Sequence, residues 1–286
     1  MVKMKSLVQK PERKEVKMNL STFIKFLGSV TLMMALCANA GFGLSAFEVM
    51  SKVDSRYTGE SAISDWRMIL IDKKDRKRVR EIEIFSKDYS DVDKSISFFR
   101  SPGDVKGTAY MSYNWESSSK EDDSWLYLPA LQKVNRIASA DRSGSFMGSD
   151  FTFSDIDGFE LEDFTYKIVK DGDLVDGKDC WVIEATPKSK KVIEKTGYLK
   201  SVQWVRKDIF FVVKNRILVK KGKKVKLFAA KDIEKINGIW TAKTLQMITT
   251  KSKKLVHKSI FQLRSIKYNT DVGDEIFATE VMQRGL

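Results

Sequence analysis

The sequence predicts a mainly β, α+β protein: a long antiparallel sheet that curls, with a few helices laid against it. Three observations predict this. Apolar and polar residues alternate in run after run from Asp65 to Tyr268, the period of a half-buried strand. The joints carry turn dipeptides, among them Asp171-Gly172, Asp176-Gly177, Lys221-Gly222 and Asn237-Gly238, and Asn-Gly is the strongest short hairpin signal. No helical stretch between runs is long enough for a parallel crossover, so successive strands pair antiparallel as a meander. The chain has 286 residues, 42% of them hydrophobic, enough for one large core. No linker of Pro/Gly/Ser composition divides residues 41–286, which are expected to form a single domain.

Taken in order, Ser45 and Glu48 have capping-box spacing and open a helix whose Phe47, Met50, Val53 and Tyr57 share a face; Gly59 stops it. "DWRMILID" then sets Trp66, Met68 and Leu70 on one side of a strand, and "REIEIF" returns with Ile82 and Ile84. "KSISFFR" and "TAYMSYNW" continue the pattern. "DSWLYLPALQKVNRI" reads as one more run with Pro129 at an edge or bulge. After a non-strand interval come further runs, which bring the expected count to about eleven. Ser154 is the expected cap of a short helix containing Asp155 and Asp157. Residues 271–282 read as a terminal helix. A sheet of this length curls, and the helices are expected on its apolar, inner face because nothing else covers it.

Residues 1–40 have the form of an export signal. Lys10, Arg13, Lys14 and Lys17 precede an apolar run from Phe23 to Cys37, followed by the small-residue pattern Ala38-Asn39-Ala40. Met18 is an alternative start. An uncleaved anchor and lipidation at Cys37 are the alternatives to cleavage. Cleavage leaves Cys180 without a partner, so no structural disulfide is expected. It also removes seven Lys/Arg and two Asp/Glu, which lowers the net charge from +13 to +8. The protein is then expected to be soluble outside the cytoplasm.

Several chemistries are excluded. One histidine and two cysteines cannot build a His-rich metal site or a zinc-finger array. His257 stands between lysines on a strand and reads as an ordinary sheet histidine. "SDIDGFELED" fails the calcium-loop pattern, because Phe159 and Glu160 fall where a ligand and glycine belong. No phosphate-binding glycine loop occurs. No catalytic residue, metal or cofactor is expected. Residues 186–260 carry 21 Lys/Arg against four Asp/Glu, which favours an anionic partner. The expected export argues for lipid headgroups over nucleic acid.

Five stretches carry a family resemblance: "WLYLPALQKVNRI" (125–137), "SFMGSDFTFSDI" (145–156), "YLKSVQWVRKD" (198–208), "INGIWTAKTLQM" (236–247) and "YNTDVGDEIF" (268–277). The chain resembles the LolA-like outer-membrane lipoprotein-sorting proteins, in the branch of a treponemal lipoprotein of that fold. It departs from their pattern at Arg206, at Asn135, and in lacking a proline between Ile209 and Val212. The resemblance implies a curved antiparallel half-barrel with helices over its concave face and an apolar cavity for acyl chains. It also implies a monomer that passes lipid or lipoprotein from an inner-membrane transporter to an outer-membrane acceptor. The expected function is therefore a periplasmic carrier. A lipid-binding envelope sensor or transporter accessory is the second reading, and a hydrolase the distant third. The candidate cavity residues are Met68, Leu70, Ile82, Ile84, Phe98, Met111, Trp125 and Leu128 from strands. Phe146, Met147, Phe151 and Phe153 are candidates from the covering segment 141–155, in which Gly144 and Gly148 permit tight turns.

Overall fold

The structure, a computed structural model, describes residues 43–116 and 120–285. The expected leader and Cys37 lie outside the described residues. Two meanders form the sheet. The first comprises β1 (Ser61–Asp72), β2 (Lys77–Asp88), β3 (Val92–Ser101), β4 (Ala109–Trp115), β5 (Asp123–Leu128) and β6 (Lys133–Arg136). The second comprises β7 (Phe164–Val175), β8 (Lys178–Pro187), β9 (Tyr198–Arg206), β10 (Phe211–Val219), β11 (Lys224–Ile236), β12 (Ile239–Lys251) and β13 (Lys254–Tyr268). The strand order is β6-β5-β4-β3-β2-β1-β13-β12-β11-β10-β9-β8-β7. Every neighbour is a sequence neighbour except at the seam, where β1 pairs antiparallel with β13 from Ala62↔Tyr268 to Asp72↔His257. Cys180 is buried as a free thiol.

Thirteen strands replace the expected eleven or so. One reason is the stretch 123–137, which is two strands rather than one: Pro129–Leu131 forms a 3-10 turn, and Gln132 follows in the left-handed region at φ 48°. Pro129 starts that turn and does not mark an edge. Among the described residues four short helices accompany the sheet: α1 (Ala46–Asp54), α2 (Phe153–Asp157), α3 (Lys190–Thr196) and α4 (Thr279–Arg284). The capping box of α1 forms as expected, with Glu48 N–H donating to Ser45 Oγ and Ser45 N–H to Glu48 Oε2. In α2 the cap is Thr152, two residues before the expected Ser154, and Asp155 completes the box. The stretch 271–282 is a 3-10 turn at Asp274–Ile276 followed by α4.

The sheet has apolar residues on both faces, which the single-face expectation did not provide for. On the inner face Met68, Leu70, Ile82, Phe99, Tyr110, Met247 and Phe261 form the main core with Phe146 and Phe151. The helices α1 and α2 lie on this side; α1 seats Val49 and Met50 against Ile183 and Val205. On the outer face of β3 and β4, Ile96, Phe98, Ala109 and Met111 are covered by Phe277, Val281 and Met282. α4 therefore covers the face opposite to the one expected for the helices.

Asp88 and Asp93 face each other across β2 and β3. Partial burial, the facing Asp88 and nearby Glu116 push the Asp93 carboxyl up to about 7. A carboxyl raised in the folded state binds protons more tightly there than in the unfolded chain, so this pair lowers stability as pH rises from about 4 to about 7. Asp93→Asn is expected to melt above the parent at neutral pH, with the advantage fading toward pH 4 in a thermal-denaturation series.

Candidate functional site

β6 and β7 occupy opposite edges of the sheet, yet they are joined by residues 137–163 alone. That segment must cross a whole face, and it crosses the inner one. Four anchors hold it there, each a buried polar group with partners, as burial requires.

The first anchor is Arg142, whose side chain is 2% exposed. Its guanidinium reaches Asp122 at 2.7 Å and Asp157 at 2.8 Å and donates to Ser124 Oγ. Tyr110 donates to Asp157 at 2.5 Å. Burial pushes the Asp157 carboxyl up, while Arg142 and the hydroxyls of Tyr110 and Ser124 hold it down. Among the described residues, Asp122 also receives Lys195 of α3 at 3.2 Å. The second anchor is Arg80 of β2, which donates to the carbonyl of Met147. Met147 and Gly148 follow one another in the left-handed region, at φ 48° and 74°, and only the second is a glycine, which takes that conformation without steric cost. Gly144 is needed for a different reason: a Cβ there would stand 2.9 Å from the Asp141 carbonyl oxygen.

The third anchor is Asp150. Thr249 donates to one carboxylate oxygen at 2.5 Å. Ser259 Oγ and His257 Nδ1 meet the other, both at 2.7 Å. The Ser259 hydroxyl is turned to the carboxylate and not to the imidazole, so the cluster docks a loop and does not form a nucleophile–base pair. The fourth anchor is Asp155, which accepts from Tyr198 Oη at 2.6 Å. Lys226 Nζ donates to the same Tyr198 hydroxyl at 3.0 Å and stands 3.8 Å from Asp155. Burial pulls the Lys226 ammonium down, against the pull of Asp155 and Asp150.

Beside this pinned segment lies a cavity of about 510 Å3, within the roughly 300–1,000 Å3 of small-molecule sites. Its floor is Trp66, Leu245, Met247, Phe228 and Phe261 from the sheet; its sides are Phe151, Ile156, Phe159 and Tyr166, with Met50 and Val53 of α1. Residues from β1 and β2 and from β7 to β9 line the same space although many strands separate them in the sheet. Curvature of the sheet is what brings them together. Ser201, Gln203 and Asn215 make a polar strip on the β9–β10 wall, and the buried side-chain oxygen of Asn215 has no hydrogen-bond partner among the described residues.

Of the residues singled out in the sequence, Ile84 and Phe151 line the cavity. Met68, Leu70, Ile82 and Phe146 are in the adjoining core, with Met147 and Phe153 packed against it. Phe146 meets Phe99 and Tyr110, and Phe151 meets Phe228 and Phe261. Phe98, Met111 and Trp125 are on the outer face under α4. Leu128 is half-buried at the end of β5. Arg80, Arg142, Asp150 and Lys226 were not singled out, and Asp155 was read only as a first-turn helix residue. A signal was present for two of them: Arg80 shares the phase of Ile82 and Ile84, and Lys226 that of Phe228, so each is an inward charge that demands a partner.

Comparison with known proteins agrees with this geometry. Residues 91–284 match a protein-family model described as "Uncharacterized protein". An outer membrane lipoprotein-sorting protein domain, so described, from Vibrio parahaemolyticus superposes with TM-score 0.74 at 28% identity, over 84% of this chain and 98% of that one. A DUF1329 family protein from Desulfovibrio piger gives 0.75 at 27%, over 83% and 97%. A LolA superfamily protein from Nitrosomonas europaea gives 0.63 at 18%, over 83% and 99%, a likeness of fold. The chain belongs to this LolA-like family. No curated protein sequence matches it. Among the described residues of this LolA-like protein, no helix is long and apolar enough to cross a membrane.

Two substitutions test the construction of the site. Arg142→Met leaves the buried Asp157 without a cation and Asp122 with Lys195 alone, and a loss of about 3–5 kcal/mol is expected in urea unfolding. Phe151→Ala removes a ring that is 4% exposed, and a loss of about 3–5 kcal/mol is expected by the same measurement.

Proposed function

We propose that this LolA-like protein is a periplasmic carrier that holds acyl chains of a lipid or lipoprotein in the inner-face cavity and helps sort them to the outer membrane. The observation that carries the reading is the cavity itself, an apolar space left beside a covering segment that is fully pinned by its own polar anchors. A segment anchored in this way does not collapse to fill the space. The sorting role described for the Vibrio parahaemolyticus domain supports the same reading.

The physical chemistry suffices without a catalytic residue. Each buried methylene contributes about 0.8 kcal/mol, so one long chain gives on the order of 10 kcal/mol before ordering costs. The aromatic and aliphatic floor accepts the chain, and the strip at Ser201, Gln203 and Asn215 meets its polar end. Of the singled-out residues, Ile84 and Phe151 contact the chain directly. Residues 1–40 act as the export leader, residues 41–286 form one domain, and an inner-membrane transporter and an outer-membrane acceptor are the exchange partners.

Native mass spectrometry of the protein recovered from the envelope without detergent tests the proposal. Bound lipid or acylated peptide is expected. Leu245→Trp, which puts an indole into the cavity floor, is expected to lose that ligand while keeping the parent's circular dichroism. Protein that carries nothing from the cell and takes up no fatty acid when one is offered would refute the carrier reading.

A further inference from the structure

Three hairpin turns that are distant in sequence stand side by side on one rim of the sheet. The register shows it. The β1–β2 turn lies beyond Ile71↔Lys77, and Asp72, at the end of β1, pairs with His257 near the start of β13. Lys254 pairs with Lys251 across the β12–β13 turn, and Lys251 pairs in turn with Lys224 at the start of β11. The turns therefore span six neighbouring strands, about 24 Å at the usual strand spacing.

Residues 73–78, 220–224 and 251–254 contribute five, four and three Lys/Arg to this rim, against the single Asp75. Among the described residues, Arg76 pairs with Asp72 at 2.6 Å and Lys220 approaches Glu194 at 3.9 Å. The other ten have no carboxylate within salt-bridge distance among the described residues. Neighbouring turns are about 10 Å apart, comparable to the screening length in physiological salt, so their fields add. The facing lysines at 224, 251 and 254 repel across their strands, a cost that an external anion offsets.

Each turn also carries an exposed aliphatic side chain. Val79, Leu218 and Leu255 are 42%, 42% and 43% exposed. Strand alternation puts all three on the outer face: Val79 pairs with Ile69, between inward Met68 and Leu70, and Leu218 follows inward Ile217. Leu255 pairs with Thr250, next to inward Thr249. A row of cations with one aliphatic beside each turn matches the headgroup layer of an anionic bilayer, where phosphates meet the cations and the aliphatics enter the acyl boundary. Aliphatic side chains add nothing to phosphate recognition on a nucleic acid.

We propose that this rim docks the protein on a membrane surface rich in anionic phospholipid. The inference stands apart from the carrier reading, because it uses none of the cavity residues.

The test is retention on sedimenting vesicles of phosphatidylglycerol in phosphatidylcholine, compared with phosphatidylcholine alone, at low and high salt. The protein is used as the cell produces it, since every variant then shares the same N-terminus. Parent protein is expected to bind only the anionic vesicles and to be released by salt. The triple variant Lys74→Glu, Lys221→Glu, Lys254→Glu, one exposed lysine per turn, is expected to weaken binding by about 100-fold, given about 1 kcal/mol per basic residue at such a surface. The control Lys178→Glu, Arg264→Glu, Lys267→Glu carries the same charge change away from the rim, since all three sites are at the opposite end of the sheet, and is expected to stay within a few-fold of the parent. Equal losses in both triples overturn the proposal, as does parent binding to neutral vesicles or binding that salt does not weaken. Capture of heparin or nucleic acid without retention on the vesicles also overturns it. The salt series on the parent needs no variant to fold. Native mass spectrometry of the rim variant reads the cavity separately, so loss of docking with ligand retained leaves the carrier reading intact.

Discussion

The salt-bridged guanidinium of Arg142 is the constraint on which the rest of the molecule depends. Burying a cation between two carboxylates contributes little net stability by itself, but it fixes geometry, because a charge left unpaired inside the protein is costly. Asp122 comes from the turn before β5, Asp157 from α2, and Tyr110 and Ser124 from β4 and β5. The cluster ties the first meander to the segment that leaves it. Asp150 and Asp155 then tie that segment to the second meander through His257, Thr249, Ser259 and Tyr198. One loop therefore bridges both halves, and its polar contacts decide how closely it approaches the sheet.

That distance explains why a cavity persists. In a protein held only by apolar contacts, a covering segment settles until the voids close, since each unfilled volume forfeits packing energy. Here the carboxylates stop the segment at hydrogen-bond distance from the strands. Phe146 and Phe153 fill the space near the first meander, while Phe151 and Phe159 leave room near the second. The polar anchors and the empty space are two aspects of one arrangement.

Much of this was legible in the residues. The capping box of Ser45 and Glu48, the inward phase of Trp66, Met68, Ile82 and Ile84, and the Asn237-Gly238 turn all depend on near neighbours, and local chemistry decides them. The break at residues 129–131 was not legible, since Pro-Ala-Leu is as apolar as a strand and only the left-handed Gln132 turns the chain. α3 was hidden because "KKVIEKT" offers just two apolar residues, Val192 and Ile193, to a helical pattern. Phe98 and Phe99 show a deeper limit. Two adjacent phenylalanines point to opposite faces, and alternation states that they differ without stating which is inward. Packing decides it: Phe99 meets Phe146 of the crossing segment, and Phe98 meets Phe85 beneath the chain's last helix. The void itself has no sequence signature, because the residues around it are those of an ordinary core.

The seam between β1 and β13 carries a temporal consequence. Ser265 donates to Asp65 across 200 residues of chain, and the strands on either side of the seam are the first and last of the sheet. Every other strand finds its partner as soon as the next hairpin closes, but this pair must wait until the final strand exists. Two half-sheets can therefore assemble from either end of the chain, each with an open edge on β1 or β13, and they fuse only at the end. Such long-range closure slows folding and leaves those edges open to other strands meanwhile. A chain threaded N-terminus first through a narrow channel would stay unjoined for nearly its entire passage, and any such passage would have to shield β1 for that interval.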